Sequence, residues 1–316
     1  MAFHRMNFIR SVLGFVLLVA FTTSCRADSV IYMRIDRTIL EKRAQVAPST
    51  PQERLRTLRA QFRNGGCPDL LEQPVPGEEL PNLICTLPGN EGGIIVVSAR
   101  LDYRSHADDE AVEWATLELL PLLAESLNAS PHRRTLVFAA LTGHDHNFAG
   151  STFYLNSFTE ARRKTLCGMI FLDHLGRASP GYAYPFGHSP SRMAEVGKGF
   201  GFQPDPRSLD VLVRSVSSAA HTLKLPQPLE INDIAATDTR VFAKSGVLTI
   251  NFHSLGYTTI PAFGAIEVRV ARNDLVPAIY SETYNLLCVY VLLVDKALYL
   301  TQSPSLQTTD NPTPAR

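Results

Sequence analysis

The sequence predicts an α/β protein, a three-layer α/β/α sandwich in which a mainly parallel sheet carries helices on both faces. Three observations lead there. Short apolar runs recur at 94–99, 136–141, 168–173 and 247–252, and they lack interruption, as strands do when both sheet faces are covered. Segments with helical spacing separate them, and repeated strand–helix–strand order makes a parallel sheet. Each run also ends in charged or imidazole side chains, at the edge where open α/β sheets collect ligands.

Taken in order, the chain opens on a basic segment with His4, Arg5 and Arg10, then the apolar core Val12–Phe21, then small and polar residues to Ala27. That anatomy is a secretory signal over 1–27, and the apolar core is too short to span as a helix. Export to a secreted or periplasmic location follows. Lipid attachment at Cys25 is the less favoured alternative, because Thr22 stands where a larger aliphatic residue is usual. The expected mature domain covers 28–301, with a polar, proline-containing tail at 302–316.

Residues 51–63 predict an amphipathic helix, with Ser49 or Thr50 as cap, Pro51 in the first turn and Leu55, Leu58 and Phe62 at helical spacing. Residues 67–81 read as irregular. Strands are expected at 82–87 and 94–99, followed by a polar loop with His106, Asp108, Asp109 and Glu110. A long helix then places Trp114, Leu117, Leu120, Leu123 and Leu127 on its inner side. The strand at 136–141 runs into Thr142, Gly143, His144, Asp145 and His146, and a helix starts near Asn147–Ser151. After the strand at 168–173 come a loop at 176–190, a helix at 209–223, the strand at 247–252 with His253 at its end, and a final helix at 280–300.

The chain has 316 residues, 45% of them apolar, and 30 basic against 30 acidic side chains, a balance that argues against a nucleic-acid binder. Without Cys25, four cysteines remain in an oxidising compartment: Cys67, Cys85, Cys167 and Cys288. Cys67 and Cys85 flank a proline-rich region and could close a short loop; four separate thiols are the other reading. Asn128-Ala-Ser130 is a glycosylation acceptor only in a eukaryotic secretory route.

Polar residues of one type gather at the strand ends: Arg100 and Asp102, His144 and Asp145, Asp173 and His174, then His253, with Asp108, Asp109 and Asp238 in flanking segments. Converging carboxylates repel, so a cation must neutralise them, either a metal ion or an arginine.

Over roughly 83–295 the chain resembles the secreted zinc aminopeptidases of peptidase family M28, relatives of the glutaminyl cyclases. The likeness rests on Ala99-Arg-Leu-Asp102, Ala107-Asp-Asp-Glu110, His144–Ser151, Ile170–Gly176 and the approach from Thr237 to Ser254. It implies a fold built for N-terminal peptide hydrolysis around two zinc ions. It would place Asp109 (or Asp108) at the bridging position and Asp145 and Asp173 as terminal carboxylate ligands. A zinc-binding His is implied where this chain has Arg100, and the general-base Glu where it has His144. The final His ligand has no counterpart after His253. Each half-site thus loses its imidazole, although zinc favours nitrogen and sulfur donors. Arg100 is therefore expected to pair with Asp109 or Asp173 in place of the first ion. The cleft would then bind a peptide or protein ligand without turnover; an active aminopeptidase with an atypical site is the alternative, with His144 as base and His106, His146, His174 or His253 as displaced ligands.

Overall fold

The structure, a computed structural model, describes residues 30–102, 110–184, 206–231, 237–254 and 275–298. The leader at 1–27 with Cys25, the loop holding His106, Asp108 and Asp109, and the tail at 302–316 lie outside the described residues.

Eight strands form one sheet: β1 (Asp69–Gln73), β2 (Asn82–Leu87), β3 (Ile94–Arg100), β4 (Thr135–Leu141), β5 (Leu166–Asp173), β6 (Pro180–Ala183), β7 (Leu229–Glu230) and β8 (Thr249–Ser254). Their order is β1-β2-β4-β3-β5-β8-β6-β7. The central β4, β3, β5 and β8 are mutually parallel, whereas β1 and β2, β2 and β4, and β6 and β8 pair antiparallel. All four central runs expected from the sequence are strands.

Alternation along the strands sends side chains to opposite faces. Val96, Val137, Ala139, Met169 and Phe171 pack with Tyr154 and Leu155 of α4 (Ala149–Asn156) and Phe242 of α7 (Thr239–Lys244). Ile95, Val97, Phe138 and Ile170 face the other way and are fully buried. Against β3, β4 and β5 lies α3 (Glu110–Asn128). On α3 in turn pack α1 (Arg37–Gln45), α2 (Pro51–Asn64) and α8 (Pro277–Leu298), and α6 (Pro206–Leu223) packs on α8. The short α5 (Glu160–Arg163) precedes β5. Helices thus cover both faces.

Local chemistry explains the ends. Thr50 Oγ1 accepts the Glu53 N–H at 3.2 Å, Pro51 needs no donor partner in the first turn, and Leu55, Leu58 and Phe62 bury one stripe of α2. The helix α1 was not expected: Asp36 caps it by accepting from Thr38 N–H at 2.8 Å, but Ile39 stays half exposed and breaks the apolar stripe.

Three expectations are corrected. Residues 67–81 contain β1, an edge strand whose mostly exposed side chains hide it from pattern reading. The loop expected at 176–190 contains β6. The last strand starts at Thr249, not Val247, because Gly246 at φ +89° closes α7 and Val247 N–H caps the Phe242 carbonyl at 3.1 Å. His253 therefore lies inside β8. Among the cysteines, Cys67 and Cys85 form a disulfide that ties the approach to β1 onto β2, while Cys167 and Cys288 are free and buried.

Candidate functional site

Because β3, β4, β5 and β8 are parallel, their carboxyl ends deliver Arg100, the turn after Leu141, Asp173 and His253 to one sheet edge. The turn after β4 is pinned by buried Asn82. Its side chain accepts the Thr142 N–H and donates to the Gly150 carbonyl, both at 3.0 Å. Position 150 must be glycine there, since a Cβ would lie 2.3 Å from the Thr142 oxygen. Asn147 (φ 55°), Phe148 (φ 57°) and His174 (φ 46°) occupy the left-handed region beside the cleft, conformations that cost up to a few kcal/mol and persist only where neighbours hold them.

One cluster is ionic. A single Arg100 nitrogen donates to Glu113 and, at 3.3 Å, to Asp173 Oδ1. His174 bridges the same acids, with Nδ1 2.8 Å from Asp173 Oδ1 and Nε2 2.8 Å from Glu113 Oε1. Both carboxylate side chains are only 9% exposed, so the cations are not competing with bulk water. Burial works against the Arg100 charge, but Asp173 and Glu113 outweigh it and raise its pKa. Burial likewise opposes charge on His174, yet the bonds to Asp173 and Glu113 lift its pKa to about 10, so it is an imidazolium at neutral pH. Asp173 is held ionised well below the usual carboxylate range: burial pushes the other way and loses to His174 and Arg100. Among the described residues of this cluster, two cations face two carboxylates.

His253 stacks on His174 with ring centroids 5.3 Å apart. Its Nδ1 lies 2.7 Å from the Ser254 carbonyl, which fixes the proton on that nitrogen. Nε2 then turns its lone pair toward Asp173 Oδ2 at 3.6 Å. Burial lowers the His253 pKa, Asp173 opposes it, and the cationic His174 adds to the lowering.

A second cluster centres on Asp238, 1% exposed. One of its oxygens accepts from Ser151 Oγ and the other from His144 Nδ1 at 2.9 Å. The carboxylate orients the imidazole through Nδ1, and the ring meets Phe148 edge-on at 5.0 Å. Nearby, Asp102 accepts the Gly143 N–H at 2.6 Å; burial raises its pKa, and this bond counteracts the rise.

The structure thus brings Arg100 onto Asp173, one of the two partners expected for it; the other, Asp109, and its neighbour Asp108 lie outside the described residues. Asp145 is exposed and does not belong to the convergent Asp173, His174 and His253 group. His146 pairs with Glu78 at 2.9 Å instead of joining that group. Sequence reasoning missed Glu113. Its signal was its place one turn before Leu117 and Leu120, on the inner side of a helix, where a carboxylate requires a buried cation.

A mainly parallel sheet with helices on both faces and acids and imidazoles at its carboxyl edge is the α/β/α sandwich expected from the sequence. The model of peptidase family M28 matches residues 82–276, and the chain belongs to that family. No curated protein matches the sequence. Among solved structures, the LapA aminopeptidase of Legionella pneumophila is similar with a TM-score of 0.55 and 11% identity over 82% of this chain and 70% of that one. An Acidobacteriales bacterium glutaminyl cyclase is similar with a TM-score of 0.56 and 14% identity over 87% and 99% of the two chains. The zinc aminopeptidase BSAP of Bacillus subtilis gives 0.48 and 17%; 67% of this chain is covered, and it spans about half (49%) of that protein.

The zinc pair that the family implies does not fit the described residues. A guanidinium stands 3.3 Å from Asp173, the carboxylate expected to ligate, and both nitrogens of His174 are bonded to acids. A single ion meets a better set, since Asp173, His174 and His253 offer ligand atoms within 4.8 Å of one another. Even there, His174 would first have to lose its proton and its hold on Glu113.

Proposed function

We propose that this M28 protein is a non-catalytic or impaired homologue of the exported aminopeptidases, and that its sheet-edge cleft binds a peptide or protein ligand. The carrying observation is the Arg100 guanidinium shared by Asp173 and Glu113. It neutralises carboxylates that would otherwise need a metal, and it supplies no Lewis acid for activating water. The Cys67–Cys85 disulfide supports export, because such bonds persist in oxidising compartments.

Purified full-length protein, assayed for metal content and for release of amino acid from an aminoacyl chromogenic substrate, tests this reading. The expected result is zinc far below one equivalent and no turnover with or without added zinc or manganese. Tightly held zinc near stoichiometry, or turnover abolished by a chelator, would overturn it. A second reading, an aminopeptidase working through one metal at an atypical site, draws on Asp173, His174 and His253 together with the Asp238-oriented His144. In that reading His144, oriented by Asp238, would take the proton of the attacking water.

A further inference from the structure

A groove of about 670 Å³ lies between α1 and α2. Ile39, Val46 and Pro48 line it, and the buried Trp114 borders it. Ile39, Lys42 and Val46 follow one another by three and four residues along α1 and past its end, so they share one face of that helix. Ile39 is 51% and Val46 70% exposed, although burial would stabilise both. Six large apolar side chains are exposed among the described residues, and four of them, Ile31, Met33, Ile39 and Val46, fall between positions 31 and 46. Single exposed apolar residues are ordinary on a protein surface; several that share a groove mark a place of contact.

The charge around the groove is basic. Three cations in its wall, Lys42, Arg43 and Arg56, meet one acid, Glu53. Arg43 is turned inward onto Glu118 and Glu125. Glu53 accepts from the Ser49 hydroxyl at 2.9 Å and lies 3.9 Å from the exposed Arg56. Lys42 is exposed, and no ion pair engages it among the described residues. The wider stretch 30–64, which forms both helices, carries eight basic side chains against three acidic ones, in a chain where each kind totals 30. Such a local excess favours an anionic partner.

We infer that this face of α1 and α2 docks on an anionic lipid bilayer. Ile39 and Val46 would enter the boundary between headgroups and acyl chains, while Lys42 and Arg56 meet lipid phosphates. A second copy of the chain fits less well, because a two-fold contact would set this basic face against itself. The inference uses none of the strand-end residues, so it stands or falls apart from the reading of the cleft.

The test is co-sedimentation of the full chain with vesicles of phosphatidylcholine alone or of equal parts phosphatidylcholine and phosphatidylglycerol. The mixed vesicles should hold the chain about tenfold or more tighter, and added salt should narrow the gap. Ile39→Ser with Val46→Ser should weaken binding to the mixed vesicles by about tenfold. Lys42→Gln with Arg56→Gln should weaken it by about fivefold or more. Leu229→Ser, at an exposed apolar residue elsewhere, should change nothing. All these side chains are exposed, and the segment at 1–27 is the same in every variant, so the differences report the groove. Equal binding to the two kinds of vesicle, no binding to either, or parental affinity in either double variant would overturn the inference. So would a dimer in velocity sedimentation that Ile39→Ser with Val46→Ser dissolves, which would assign the groove to a second copy.

Discussion

Removing the Arg100 side chain is the most direct trial of the ionic cluster. An ion pair in open solvent contributes about 0–1 kcal/mol. Here the acids are 9% exposed and the guanidinium 17%, so the buried regime applies. Deleting one partner of a buried pair costs about 3–5 kcal/mol, chiefly because the remaining charge is left uncompensated. His174 still touches both acids, which places Arg100→Ala near the lower end, about 3 kcal/mol. Arg100→Lys keeps a charge but replaces the planar, weakly hydrated guanidinium by a compact ammonium, and an intermediate loss is expected. Arg100→Ala with Asp173→Asn removes the orphaned charge too, so the double variant should lose less than the sum of the single losses, by about 1–3 kcal/mol. Urea unfolding followed by fluorescence reads all of this through the single tryptophan, Trp114, which is fully buried and adjacent to Glu113. An Arg100→Ala loss under about 1 kcal/mol, or strict additivity in the cycle, would refute the reasoning.

Other outcomes are open to measurement. Burial raises the Glu118 pKa from 4.5 to about 8 against the pull of Arg43. A folded pKa above the unfolded one favours folding at low pH, so the parent should lose stability between about pH 4.5 and 8, by up to about 1.4 kcal/mol per unit. Glu118→Gln should therefore match the parent near pH 5 and exceed it at pH 8; denaturation curves without that divergence would count against it. Reducing Cys67–Cys85, or replacing both by serine, should cost roughly 3 kcal/mol, from release of a loop with a sequence separation of 18. Equal melting temperatures with and without reductant would show that the bond does not constrain the unfolded chain. Asn82→Ala should destabilise by about 2–4 kcal/mol, since it strips partners from the Thr142 N–H and the Gly150 carbonyl; a loss below about 1 kcal/mol would mean that water replaces the amide.

The sheet was legible where burial is two-sided. In Ile94–Ala99 and Leu136–Leu141 every residue is apolar or small, so the run itself reports the strand. β1 and β7 stand at the sheet margins, and the short β6 lies beside β7, so these strands are marked by ladder bonds more than by composition. At the site, the strand-end residues Arg100, Asp173 and His253 could be read because parallel topology sends them to one edge. Their pairing could not. Whether Arg100 meets Asp173 or another acid depends on side-chain reach across β3, β5 and α3, and Glu113 comes from an apolar helix whose spacing advertises core packing. His144 was noticed for its position, but its partner Asp238 lies 94 residues further on, and only the folded chain joins them.

The arginine wedged between two acids also sets the terms on which a single substitution could alter this edge of the sheet. An isolated Arg100→His change would leave His174 as the main cation facing Glu113 and Asp173, so it carries a folding cost of its own. A compensating change at Glu113 or Asp173, or a stabilising change elsewhere, would have to accompany it. The guanidinium therefore ties the stability of this sheet edge to its present ionic form.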